Sequence, residues 1–148
     1  MDQRMSFVTL AVSDLEATRR FYVDGLGWEP MIHVPGDVLM IKVADKVVLS
    51  LWDRDHFEAE VGPIVTGQIV TGQIVTGQGV APLTLAHNVG SREEVDEVLA
   101  TAREVGAHPV HEGEDREWGG YTGYFGDPDG YRWEIAWAPG DVGAAVLP

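Results

Sequence analysis

Apolar and polar positions alternate along this chain in a pattern that occurs twice. Phe7-Val8-Thr9-Leu10-Ala11-Val12 is apolar and β-branched, which predicts a strand. Ser13 and Glu16 stand three apart, the spacing of a capping box that opens a helix. Leu15, Thr18, Phe21 and Tyr22 then fall near one helical face, and Gly25 and Gly27 can close it. Three shorter strands follow, over Pro30–Val34, Val38–Val43 and Val47–Trp52. Pro35-Gly36-Asp37 and Ala44-Asp45-Lys46 supply turns between them.

The second half repeats this order. Leu83–Val89 reads as a strand, and Ser91 with Glu94 is a second capping-box match. Val95, Val98, Leu99, Ala102 and Val105 continue at helical spacing, with Gly106 as the stop. Strands are expected over His108–His111, Tyr121–Phe125 and Tyr131–Trp137, the last preceded by the turn Asp127-Pro128-Asp129-Gly130. The pattern is two βαβββ modules in tandem, an α+β chain. The expected divisions are 1–60 for the first module, 61–80 for a linker, 81–140 for the second module and 141–148 for a tail.

The linker region carries a different repeat. Ile64-Val65-Thr66-Gly67-Gln68 recurs at 69–73 and 74–78. A period of five suits neither regular structure: an odd shift changes face in a strand, and in a helix it rotates the pattern by about 500°. The expected form is an elongated linker, with a local hairpin or a partner-binding edge as the alternative.

Composition narrows the chemistry. Ten Lys plus Arg against 24 Asp plus Glu give a net charge of −14. That charge disfavours nucleic acid and anionic membrane surfaces as partners. There are no cysteines, which removes thiolate catalysis and disulfides and fits a reducing cytoplasm, the expected location. The first residues lack the pattern of a signal peptide, and no apolar run is long enough to span a membrane. The carboxylates of 91–117 sit largely on a helix start and the following loop, where they read as a solvated face. Trp118-Gly119-Gly120-Tyr121-Thr122-Gly123-Tyr124 interleaves aromatics with glycines, a composition suited to a wall that stacks on a planar ligand.

Three stretches, VTLAVSDLEATRRFYVDGLGW, LAHNVGSREEVDEVLATAREVGA and WGGYTGYFGDPDGYRWEIAW, resemble the vicinal oxygen chelate superfamily, which includes glyoxalase I, bleomycin-resistance proteins and extradiol dioxygenases. The resemblance implies that each module curls into a half-open cup and that paired cups enclose a cavity. It also implies homodimerisation. Metal-dependent members place one His, Gln or Glu ligand on each of four strands. Carried over, those positions fall on Phe7, near Ser50, near Thr84 and on Glu134. Only Glu134 is a strong ligand. His33, His56 and His87 are further nitrogen donors if the register differs; His87 alone on its strand is expected under the helix that starts at Ser91.

With those positions facing the cavity, alternation gives a lining of Phe7, Thr9, Val48, Ser50, Trp52, Thr84, Asn88, Arg132 and Glu134. Trp118, Tyr121 and Tyr124 add the aromatic wall. The lining is largely apolar with a few polar anchors, which suits a small organic ligand. Glu134 is the candidate catalytic residue, as general base or metal ligand, or else a paired carboxylate bonded to Arg132 or a tyrosine. The expected function is a binding protein with a degenerate metal site and no required cofactor, sequestering a small, partly aromatic molecule. The alternatives are a lyase, isomerase or dioxygenase using Ni, Zn, Fe or Mn on a substrate with vicinal oxygens, and a non-catalytic dimeric scaffold.

Overall fold

The computed structural model describes residue 3, residues 5–61, residue 64, and residues 68–70, 73–75 and 83–147. The chain divides into two compact units, Met1–Val65 and Thr66–Pro148. Each carries a four-stranded mixed sheet with a helix on one face, the α+β arrangement that the sequence pattern predicts.

In the first unit the strands are β1 (Phe7–Val12), β2 (Pro30–Val34), β3 (Val38–Ala44) and β4 (Val47–Asp53), in the spatial order β1-β4-β3-β2. β1 runs parallel to β4, and the other pairs are antiparallel. α1 (Leu15–Arg19) crosses between β1 and β2. Its cap is Asp14, not Ser13: the Asp14 side chain accepts from the Ala17 backbone N–H at 2.9 Å. Both residues are cap-competent, and the extended backbone of Asp14 decides between them.

α1 widens into a π-helical turn over Arg20–Gly25, closed by a bond from Leu26 N to Phe21 O, and Gly27 then takes a left-handed φ of 73°. The turn buries Phe21 and Tyr22, neighbours in sequence, with their rings edge to face 5.2 Å apart. They pack over the face of the sheet that holds Leu10, Val12, Leu49 and Leu51, all nearly or fully buried. α2 (Arg54–Val61) follows β4 and is absent from the sequence reading. Asp53 starts it, its carboxylate accepting from the Asp55 and His56 N–H groups.

The second unit repeats the topology with β7 (Thr84–Asn88), β8 (Val110–Asp115), β9 (Tyr121–Gly126) and β10 (Arg132–Trp137), ordered β7-β10-β9-β8. Its helix α3 (Arg92–Glu104) is capped by Ser91 as expected, the hydroxyl accepting from Glu94 N. The reciprocal bond of the capping box falls one residue early, from Gly90 N to Glu94 Oε2. Val95, Leu99 and Ala102 bury their side chains against Phe125, Trp133 and Ile135. α3 packs on β8, β9 and β10. The register puts His87 opposite Ile135, on the helix-side face as expected, but β7 is an edge strand and the His87 side chain is exposed.

Of the IVTGQ repeat, the described residues form β5 (Gln68–Val70) and β6 (Gln73–Val75), paired antiparallel with Ile69 opposite Ile74. The described residues of the repeat thus pair as two short antiparallel strands; the rest of the repeat lies outside the described residues. α4 (Gly140–Val146) ends the chain where a tail was expected. Among the described residues no helix is long and apolar enough to cross a membrane.

Candidate functional site

Sheet alternation gives each unit one face under its helix and one open face. In the second unit Trp133 and Ile135 turn towards α3, leaving Arg132 and Glu134 on the open face. The turn before β10 sets this register. Asp127 is buried, its Oδ1 accepts from the Asp129 and Tyr131 N–H groups, and its carbonyl accepts from Gly130 N. Gly130 adopts φ 84°, a left-handed value that favours glycine.

Glu134 lies across from Tyr124 on β9, and Tyr124 lies across from His111 on β8. The Tyr124 hydroxyl donates to Glu134 Oε1 at 2.8 Å. Burial raises the Tyr124 pKa above its ordinary value, and the bond to the carboxylate raises it further. On the β7 side the parallel register places Ala86 opposite Glu134 and Thr84 opposite Arg132. Asn88 is half-buried opposite Ala136.

Arg132 also lies across from Gly126. A β-carbon at Gly126 would collide with Arg132 Nη1 and with the His108 carbonyl, so glycine makes the room in which the guanidinium rests. Arg132 Nη1 is buried there and has no hydrogen-bond partner among the described residues. A buried donor left unpaired costs about 1–3 kcal/mol, more when charged, so its retention calls for a reason.

Arg116, just past β8, is held differently. Its Nε donates to Thr122 Oγ1 at 2.6 Å, Nη2 donates to the Thr122 carbonyl, and Nη1 lies 3.3 Å from Glu114. Its guanidinium stands 5.8 Å from the Tyr124 ring centroid, within cation–π range. Thr84, His111, Arg116, Tyr124 and Arg132, with Glu112 and Glu114, line an open cavity of about 400 Å³.

The expected aromatic wall divides. Tyr121 and Tyr124 are three residues apart on one strand, so they fall on opposite faces. Tyr121 faces α3, its hydroxyl donating to Asp96 at 3.0 Å and its ring lying under the Arg92 guanidinium. Trp118 is exposed, and its ring lies over Gly120, where a β-carbon would strike it.

In the first unit Phe7 is half exposed opposite Val48, and Thr9 is exposed opposite the buried Ser50. Trp52 donates its indole N–H to Asp37 Oδ1 at 2.9 Å, and the same oxygen lies 3.1 Å from His56 Nδ1. Trp52, Asp37 and His56 line a second open cavity of about 570 Å³ with Ala59 and Glu60. His33 sits 3.5 Å from Glu16.

The four positions that the resemblance assigns to metal ligands do not fit a divalent ion. Phe7 offers only carbon, and Ser50 and Thr84 offer neutral hydroxyls, which leaves the Glu134 carboxylate as the one strong ligand of the four. Tight binding of such an ion needs three or four nitrogen or oxygen donors together. Among the described residues no group of three or more His, Asp or Glu gathers to supply them.

Sequence reasoning finds Thr84, Tyr124, Arg132 and Glu134 of this open face but misses His111, Arg116 and Gly126. Arg116 carried one signal, a single cation in the acidic run Glu112–Glu117.

The comparisons with known proteins agree with this architecture. The sequence model of the Glyoxalase/Bleomycin resistance protein/Dioxygenase superfamily matches residues 4–135. A glyoxalase-related enzyme from Fulvimarina pelagi is 30% identical, with 93% of this chain and 89% of that one covered and a TM-score of 0.75. A hypothetical protein from S. aureus is 25% identical, covering 93% and 95%, with a TM-score of 0.68. A glyoxalase/bleomycin resistance protein/dioxygenase from Nocardioides, 22% identical over 95% and 90% with a TM-score of 0.70, shares the fold. No curated protein sequence matches the chain. With its two βαβββ units and a family match that spans both, the chain belongs to the glyoxalase/bleomycin resistance/dioxygenase superfamily.

Proposed function

We propose that this protein binds a small, partly aromatic molecule on the open face of its second sheet, and does so without a metal ion. The observation that carries this reading is the hydrogen bond from Tyr124 to Glu134, which fixes the tyrosine on the open face, while Phe7, Ser50 and Thr84 leave Glu134 the one strong ligand among the four assigned positions. A carboxylate bonded in this way orders a tyrosine ring beside a cavity of ligand size. The ring offers flat contact surface, and the polar groups around it offer orientation.

Two measurements test this. Elemental analysis after incubation with Ni, Zn, Fe or Mn salts should find no stoichiometric metal. A stoichiometric ion that disappears in Glu134→Ala would overturn the reading in favour of a metal-dependent lyase, isomerase or dioxygenase. A tyrosine and tryptophan fluorescence screen against planar small molecules should find binders that Tyr124→Ala weakens. Silence across a broad panel would leave the reading without its ligand and reject it.

A further inference from the structure

The Arg132 guanidinium is the unanswered charge of this cavity. Every other charged group around it has a partner: Arg116 pairs with Glu114, Glu112 pairs with Arg103 of α3, and Glu134 accepts from Tyr124. Arg132 forms no ion pair among the described residues, and its Nη1 is buried without an acceptor. The chain as a whole is strongly acidic, yet no carboxylate among the described residues pairs with this group. Gly126 keeps the space for it, since any β-carbon there would displace Nη1. Thr84 stands directly across from Arg132 on the neighbouring strand, and both line the cavity with the His111 and Tyr124 side chains.

We infer that the molecule bound on this face carries a planar carboxylate, received by Arg132 with the Thr84 hydroxyl beside it. The inference rests on the binding reading above and names the chemical class of its ligand. An arginine fork presents two parallel N–H donors that match the two oxygens of a carboxylate. One unpaired cation calls for one negative charge. A dianionic phosphate would bring a second charge close to Glu112, Glu114 and Glu134, which repel it. The aromatic body of the ligand would lie along Tyr124, whose ring is already flanked by Arg116.

The test uses the isotope-labelled full chain titrated with benzoate, benzamide and phenyl phosphate, read by amide chemical shifts on β7 and β10. Benzoate should move the Thr84 and Arg132 amides and bind at least about tenfold more tightly than its neutral isostere benzamide. Arg132→Gln should remove that preference while leaving the protein folded, because the lost guanidinium nitrogen had no partner to strand. Arg132→Lys should restore only part of it, since an ammonium lacks the fork. Thr84→Val should weaken benzoate and leave benzamide unchanged.

Equal binding of benzoate and benzamide would overturn the carboxylate assignment and leave the binding reading standing. So would a preference that survives Arg132→Gln, or tighter binding of phenyl phosphate. Silence to benzoate while benzamide or other uncharged aromatics bind would have the same meaning. Silence to all three probes and to the fluorescence panel would reject both readings together.

Discussion

The two units have the same strand order, the same parallel outer pair and the same helix position, but their open faces differ in chemistry. In the first, the open face begins with the half-exposed Phe7, the exposed Thr9 and the buried Ser50, and its polar groups are closed among themselves: Trp52 and His56 share one oxygen of Asp37. In the second, Tyr124 and Glu134 bond each other while Arg132, beside them, is left unsatisfied. The apolar residues under the helices are alike, since Leu10, Leu49 and Leu51 do for one unit what Leu99, Trp133 and Ile135 do for the other. The difference teaches that the packed face sets the module and the open face sets the chemistry. One face can be rewritten while the other is kept.

The largest expected effect tests the sameness of the packed faces. Leu51→Ala and Leu99→Ala each remove a fully buried side chain and should each cost about 2–5 kcal/mol in denaturant unfolding. Comparable losses would support equal packed faces. A loss below about 1 kcal/mol in one unit alone would break the comparison on its firmest side.

A smaller effect concerns the helix starts. Asp14→Ala and Ser91→Ala should each cost about 1 kcal/mol, read as a lower urea midpoint. Ser13→Ala should change little, because Asp14 holds the cap; a loss equal to that of Asp14→Ala would move the cap back to Ser13.

The smallest effect is spectroscopic and confined to the second open face. Tyr124 should ionise above the ordinary tyrosine value of about 10 in an alkaline absorbance titration. Burial is the larger cause and the Glu134 carboxylate the next, so Glu134→Gln should bring the titration down without fully normalising it. The sign for stability follows from the raised folded pKa. The folded state holds this proton more tightly, so the contribution is complete below about pH 10 and declines as pH rises towards the folded value. No change in the Tyr124 titration in Glu134→Gln would separate the two groups that anchor the second face.

Much of the fold is legible because its signals are local. The Ser91 cap, the Asp127–Gly130 turn and the alternation in Arg132–Trp137 each need only a few neighbouring residues. The choice between Ser13 and Asp14 was not legible, because both side chains can cap and only the backbone distinguishes them. α2 escaped because its signal is one carboxylate, Asp53, at the end of a strand, followed by a segment with no buried residue. Of the open face, the residues on β10 could be placed by counting in twos from Glu134. His111 and Arg116 could not, because β8 shifts register against β9 between His111 and Glu114, which breaks the count. The division of Tyr121 from Tyr124 was within reach of the same counting, once both are placed on a single strand.

The strand pair in the IVTGQ repeat has a consequence for how this chain can change over generations. Ile69 stands opposite Ile74 in the strand register, the same residue of two successive copies. Loss or gain of one copy, an in-frame slip of five codons, brings Ile opposite Ile again. A repeat of identical five-residue copies can therefore change by whole copies while the same residue types stand opposite each other in the strand pair.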